Sequence, residues 1–407
     1  MPYLINPGGR IVAVDDPVQF QRWRNTPGFE VLTPEQAMEY QNQRLAMLDR
    51  DKRKESMGAD GIYFATVTQG DRADGYGTSS EHIIAEMQKL GVKVSTSYTG
   101  QNITLLYHAP YSITRIESPF RIIYTMFESD KIPDEWSPYL EGADLILVPS
   151  KWCASVFKKS GFDARVVPLG YNDNVYKYVE RHNKREARET FNFLHYNAFN
   201  IRKGFPEVFK AFIAEFAKDE PVKMIFKTTQ RREQIPDMFR YIDETYPNIE
   251  IICEQLPQKQ MQSLMERSDC FVFPSRGEGF GMTPMEAMAT GMPAIVPNAH
   301  GISEYFNPDC MYEVEVEGMC PALYSRYKNV DVGKMVVCSV DDLRRKMRYV
   351  YEHQNEALAK GKAASEYVKS WTYKQTAAQL KIIIEEISRL PVPARQMVNF
   401  LKLEKVT

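Results

Sequence analysis

The sequence predicts an α/β protein with two doubly wound parallel-sheet domains facing a cleft, behind a short N-terminal extension. Three observations predict it. A strand, glycine turn, helix, strand unit begins at Gly61. The same texture restarts at Phe191 after a charged stretch. The chain has 407 residues, too many for one ordinary core.

Residues 1–57 form the extension. There GRIVAV reads as a short strand, and Thr33-Pro34-Glu35-Gln36 has the chemistry of a capping box opening a helix that runs to about Lys54. No catalytic pattern occurs in it. In residues 58–178, GIYFATVT is a compact apolar strand, QGDRADGYGTSS a polar turn at its carboxyl end, and EHIIAEMQKLG a helix closed by Gly91. VKVSTS, ITLLYH, FRIIYTMF and ADLILVPS continue as strands between helical stretches, as in a parallel sheet covered on both faces. Residues 179–190, containing ERHNKREARE, read as a linker. Residues 191–370 repeat the pattern, with FNFLHYN, VKMIFKT, IEIICEQ and DCFVFPS as strands and PEVFKAFIAEFAK and QKQMQSLMERS as helices. In the tail, 371–407, WTYKQTAAQLKIIIEEISRL has amphipathic helical spacing. Two such domains bind ligands at the carboxyl ends of their strands, so the cleft between them is the expected site.

Composition narrows the function. A net charge of −2 excludes a protein that grips nucleic acid by overall basicity, though a local basic groove stays open. The six cysteines form no CxxC pair and read as reduced, mostly buried residues of a cytoplasmic protein, with no zinc site. The start of the sequence lacks a basic region followed by an apolar run, and no stretch approaches the roughly eighteen apolar residues of a membrane span. Lys158-Lys159 and Arg344-Arg345-Lys346 are short basic clusters that read as solvated faces, with peripheral membrane contact as the alternative.

The segment SRGEGFGMTPMEAMATGMP places Glu278 and Glu286 eight positions apart around a glycine-rich turn. Locally, Thr283 and Glu286 make a capping box with Pro284 in the first turn, which alone is worth about 0.5–2 kcal/mol. The loop adds a second meaning. Gly277, Gly279 and Gly281 remove side chains where backbone must approach something closely, and the helix start offers N–H groups and a dipole suited to a diphosphate. A carboxylate beside such a site suits sugar hydroxyls. NIRKGFPEVFKAF sets Arg202 and Lys203 between a strand end and a helix, where a diphosphate needs cations. Lys227, in MIFKTTQ, is a further cation at a strand end, with Arg231 and Arg232 beyond it.

PSRGEGFGMTPMEAMATGMPAIV, followed by GISEYF, resembles the E-x7-E segment of the retaining GT-B glycosyltransferases, the glycosyl transferase group 1 family. The resemblance runs from roughly Gly61 to Leu380. It implies that Glu278 contacts the transferred sugar and Glu286 the ribose hydroxyls, while backbone from Gly279 through Phe280, Gly281, Met282 and Thr283 meets donor sugar and diphosphate. Lys203-Gly204 matches the family's R-x4-KG clamp, but Ala198 stands at the arginine position, so Arg202 would supply that charge. ADGYGTSSEH resembles the acceptor-side loop, with Gly75 and Gly77 approaching the donor. Where many relatives carry a histidine near the reacting carbon, Phe127-Glu128-Ser129-Asp130 occurs, which makes Glu128 a candidate and His108, after the preceding strand, the other.

The resemblance implies a retaining transferase that moves a sugar from a UDP-sugar or GDP-sugar to a glycan or lipid-linked acceptor, with no metal and no cofactor. It also implies a C-terminal helix from Trp371 crossing back onto the first domain. Two alternatives stand beside it. One is a phage-type DNA glycosyltransferase acting on 5-hydroxymethylpyrimidine bases in the host cytoplasm. The other is a non-catalytic nucleotide-sugar-binding subunit, which Ala198 and the missing histidine would suit.

Overall fold

The computed structural model describes residues 3–5, 11–13, 30–33, 59–66, 75–116, 118–327 and 330–390, with Gln21, Arg24 and Gln36. Strands β1 (Tyr3–Ile5), β2 (Ile11–Ala13) and β3 (Glu30–Leu32) form a separate antiparallel sheet in the order β2-β1-β3. The capping box expected at Thr33 is present: Thr33 N donates to Gln36 Oε1 at 2.9 Å and Gln36 N to Thr33 Oγ1 at 3.2 Å. The rest of that helix lies outside the described residues.

The first large sheet contains β4 (Ala59–Thr66), β5 (Val94–Ser95), β6 (Gln101–Tyr107), β7 (Phe120–Tyr124), β8 (Leu145–Val148) and β9 (Arg165–Val166). They are parallel, in the order β5-β4-β6-β7-β8-β9. Phe64, Leu105, Ile122 and Leu147 are fully buried in it, as continuous apolar strands covered on both faces require. Helix α1 spans Gly75–Lys89, so GYGTSS, expected as a turn, is helical. The reason is local. Ser79 Oγ donates to Gly75 O at 2.5 Å and Ser80 Oγ to Gly77 O at 2.8 Å, so both hydroxyls are satisfied within the helix. Helix α2 (Lys151–Lys159) follows β8 and is capped by Ser150.

The second sheet contains β10 (Phe191–Tyr196), β11 (Val222–Thr228), β12 (Ile249–Cys253), β13 (Cys270–Val272), β14 (Ala294–Val296) and β15 (Met311–Glu313). Their order is β12-β11-β10-β13-β14-β15, all parallel. The chain reverses its direction of winding between β10 and β13, which makes the loops after those two strands the place for a ligand. Helices α3 (Phe205–Glu215), α4 (Gln258–Glu266), α5 (Met282–Ala289), α6 (Val340–Glu352) and α7 (Gln354–Tyr367) cover it. Residues 179–190 run between the domains along a largely exposed path, with one side chain tied down. The Arg181 guanidinium donates to Ser268 O at 3.0 Å, to Met265 O at 2.8 Å and to Thr290 O, which ties the segment to the second domain.

Two devices join the domains. Helix α8 (Tyr373–Ser388), capped by Thr372 and Gln375, packs on α1. Thr376 Oγ1 donates to Pro168 O at 2.8 Å, Lys381 Nζ to Leu90 O at 2.9 Å, and Tyr171 bridges Thr372 as a parallel pair. The second device was not foreseen from the sequence. An arm formed by β16 (Val316–Pro321) and β17 (Lys334–Cys338) leaves the second domain, and its tip buries Ala322, Tyr327 and Val332 against Phe127, Trp136 and Tyr139 of the first. Trp136 Nε1 donates to Tyr111 Oη at 2.8 Å, Tyr111 and Tyr327 share a hydrogen bond at 2.5 Å, and Lys334 N donates to Asp130 Oδ1 at 2.6 Å.

Gly170 sits where an added Cβ would overlap the backbone of Thr372 and Tyr373. Gly170→Ala is therefore expected to destabilise the protein by about 1–3 kcal/mol, through overpacking where α8 docks. Calorimetric unfolding would report the lowered midpoint, and hydrogen exchange would show the loss of protection concentrated in α8.

Candidate active site

The loops after β10 and β13 meet at the switch point. Asn200 Oδ1 accepts from Lys203 N at 3.0 Å and so fixes the turn Ile201–Lys203. Arg276 N donates to Arg202 O at 2.7 Å and joins the two loops. This geometry turns both cations onto Glu278. Its Oε1 accepts from Lys203 Nζ at 2.7 Å, from Ser275 Oγ at 2.7 Å and from Arg202 Nη1 at 3.3 Å. Among the described residues no group engages Oε2. Arg202 Nη2 lies 3.4 Å from Glu128 Oε1 in the loop after β7, and Tyr324 Oη, from the arm, donates to Glu128 Oε2 at 3.2 Å. Burial opposes ionisation of Glu278, but the charges of Lys203 and Arg202 outweigh it and hold the carboxyl down at about 2. Burial also weighs on Arg202, yet Glu128 and Glu278 hold it firmly charged. Burial draws Lys203 below the usual lysine range, against the pull of Glu278.

Glu286 is not a cap. Gly281, in the left-handed region at φ 88°, takes the N-cap position, so α5 begins at Met282 and no side chain caps it. The helix therefore starts two residues earlier than a Thr283 cap requires, which carries Glu286 beyond reach of the cap N–H. Thr283 Oγ1 instead accepts from Asn197 Nδ2 at 3.3 Å. Glu286 sits among tyrosines: Tyr176, Tyr196 and Tyr373 all lie near enough to feel its charge. Burial raises its carboxyl to about 7, only partly opposed by Tyr176.

A second sheet with this winding, two glutamates eight apart and paired cations at its switch point can be set beside known proteins. Residues 177–310 match the family of glycosyl transferases group 1. That match takes in strands β10 to β14 of the second sheet. Residues 249–380 also match a family described as family 4 glycosyltransferases in conflict systems. ORF313 of Acidianus filamentous virus 1, itself a glycosyltransferase by assignment only, is 26% identical over 193 residues, 47% of this chain and 57% of that protein. The lipopolysaccharide core biosynthesis mannosyltransferase LpsB of Rhizobium meliloti is 56% identical over 36 residues, 9% of this chain and 10% of LpsB. The chain thus spans little more than half of one curated relative and a tenth of the other. HepE of Anabaena, solved in complex with UDP and glucose, has the same GT-B fold: TM-score 0.58 and 13% identity over 81% of this chain and 100% of HepE.

Other expected site residues divide. Gly277 and Gly279 are required by a close approach, but the approach is between domains. A Cβ at Gly277 would strike Glu128 O, and one at Gly279 the Met126 side chain. A Cβ at Gly75 would come within 3.3 Å of Met282 Cε, so the N-terminus of α1, with Gly77 in its first turn, lies against that of α5. Phe280 is buried against Tyr305 and Trp371, and Met282 Sδ accepts from Tyr373 Oη at 3.1 Å. Lys227 does not join Arg202 and Lys203. Its Nζ turns to Thr228 O at 2.9 Å and Glu254 O at 2.5 Å, and burial lowers it to about 8. Arg232 pairs with Asp243, with Nη2 at 2.8 Å from Oδ2. The His108 ring packs against Tyr76 with centroids 5.1 Å apart.

Ser275, Tyr176, Tyr324 and His300 escaped the sequence analysis. Only Ser275 carried a signal, as the residue ending DCFVFPS. Among the described residues no group of three or more His, Cys, Asp or Glu could hold a metal ion.

Glu286 gives a pH-dependent stability. Its carboxyl binds protons more tightly folded (about 7) than unfolded (4.5), so stability falls as pH rises between those values. The slope is at most about 1.4 kcal/mol per pH unit. Glu286→Gln is expected to flatten it, as read by urea unfolding from pH 4.5 to 8. An unchanged slope would mean that the carboxyl titrates normally.

Proposed function

We propose that the protein transfers a sugar from a nucleotide-diphosphate sugar to an acceptor hydroxyl with retention of anomeric configuration. Glu278 carries this proposal: one oxygen of a buried carboxylate is held by Lys203, Arg202 and Ser275, and the other is left for a ligand at the switch point beside the N-terminus of α5. In this reading Oε2 accepts from a hydroxyl of the transferred sugar and Glu286 from the ribose. The first-turn N–H groups of α5 receive the diphosphate. Charge grows on that diphosphate as the glycosidic bond breaks, and Lys203 and Arg202 stand where they stabilise it without reorganising. The acceptor hydroxyl enters from the same face, beside Glu128, and its proton goes to the departing phosphate oxygen.

The complexes of HepE with UDP and glucose support a UDP-sugar as donor. The mannosyltransferase activity named for LpsB supports a glycan acceptor.

Calorimetric titration with UDP, GDP, ADP and the sugars UDP-glucose, GDP-mannose and ADP-glucose tests the donor. One nucleotide is expected to bind, and Glu286→Ala to weaken it about tenfold or more without change in circular dichroism. Failure of every nucleotide to bind would overturn the proposal. Lys203→Ala is expected to lower turnover by about 10²–10³, and wild-type turnover in that variant would remove Lys203 from the leaving-group site.

A further inference from the structure

Among the described residues two that are not glycine have positive φ: Arg188 at 60° and His300 at 43°. Arg188 ends the short exposed helix Lys184–Ala187. His300 is different, because it opens the buried turn His300–Glu304 that follows β14 beside Glu278. Left-handed backbone strains a residue that carries a Cβ and persists where the surroundings impose it, often at ligand sites.

The surroundings of His300 are the elements that hold Glu278. Its Nε2–H donates to Ser275 O at 2.9 Å, and the next residue, Gly301, donates its N–H to Glu278 O at 2.8 Å. With the proton on Nε2, Nδ1 of the neutral ring is a lone-pair acceptor. Burial keeps the ring neutral by lowering it to about 4, against the charge of Glu278. The residue is 4% exposed, and Nδ1 is buried with no hydrogen-bond partner among the described residues. Glycine would fit this φ and leave nothing unpaired. A histidine here keeps a buried acceptor without its donor, within electrostatic reach of Glu278, Arg202 and Lys203.

The chemistry of the acceptor narrows what fills it. A diphosphate has no proton to give, and the ribose falls to Glu286. The group left is a hydroxyl of the transferred sugar. We propose that His300 Nδ1 accepts a hydrogen bond from a hydroxyl of the transferred sugar, and that His300 with Glu278 selects which sugar is taken. This rests on the sugar-transfer reading above. Trp152 of the first domain lies edge-on to the imidazole, with ring centroids 6.2 Å apart, so residues of both domains border the site. A sugar with that hydroxyl absent or inverted would leave Nδ1 unpaired and be rejected.

The test compares His300→Gly and His300→Asn with wild type by calorimetry, each titrated with the same six nucleotides and nucleotide sugars. Glycine relieves the backbone and removes the acceptor. Asparagine tolerates the left-handed conformation and keeps an acceptor oxygen on a short side chain. The expected result is that His300→Gly weakens the nucleotide sugar about tenfold or more while binding the free nucleotide diphosphate within about twofold of wild type, with His300→Asn recovering most of the loss. Equal loss for sugar and nucleotide would show a merely structural role and overturn the proposal. No loss for either would overturn it alone, because wild-type binding would still support the transfer reading. Wild type binding none of the six would overturn both.

Discussion

One oxygen atom, Oε1 of Glu278, receives donors from a lysine, an arginine and a serine, and the cleft is organised around that point. Burying ions costs several kcal/mol each, and it is tolerated only where partners are close and fully engaged. Lys203 and Arg202 come from the loop after β10, Ser275 and Glu278 from the loop after β13, so the ion cluster also fixes one loop to the other. Arg202 extends it to Glu128, and Tyr324 extends it to the arm. Any anion that draws Arg202 toward itself therefore acts on both domains.

The two glutamates of one short segment have opposite electrostatics. Glu278, among cations, ionises at about 2, whereas Glu286, among tyrosines, does so at about 7. Neighbours alone make the difference. The first is a permanent charge suited to anchoring cations, and the second is a carboxyl whose ionisation is open to change by whatever donates to it.

Much of this was legible in the sequence because it is local. Apolar strand runs, glycine helix ends and the reversal of winding follow from composition and spacing, and they bring Glu278, Lys203 and Arg202 together. The failures share a cause. Gly281 overrides the Thr283 cap because its left-handed backbone starts the helix sooner. Arg181, half-buried in a stretch that reads as a charged linker, donates to carbonyls of residues 265, 268 and 290, far away in sequence. Lys227 ends a strand much as Lys203 follows one, and the carbonyls of Thr228 and Glu254 turn it elsewhere. Tyr176, Tyr324 and His300 take their meaning from partners that no local spacing encodes.

The arm from Val316 to Cys338 has a consequence for heredity. Along the chain the two domains divide at residues 179–190, and a recombination there exchanges one half of the sequence for another. In space the arm supplies Tyr324 and Tyr327 to the wall of the first domain, against Phe127 and Trp136. A crossover at that boundary would bring a foreign tip to an aromatic surface shaped for this one. The halves fit as a matched pair, and a working chimera would have to carry the arm together with the first domain it touches.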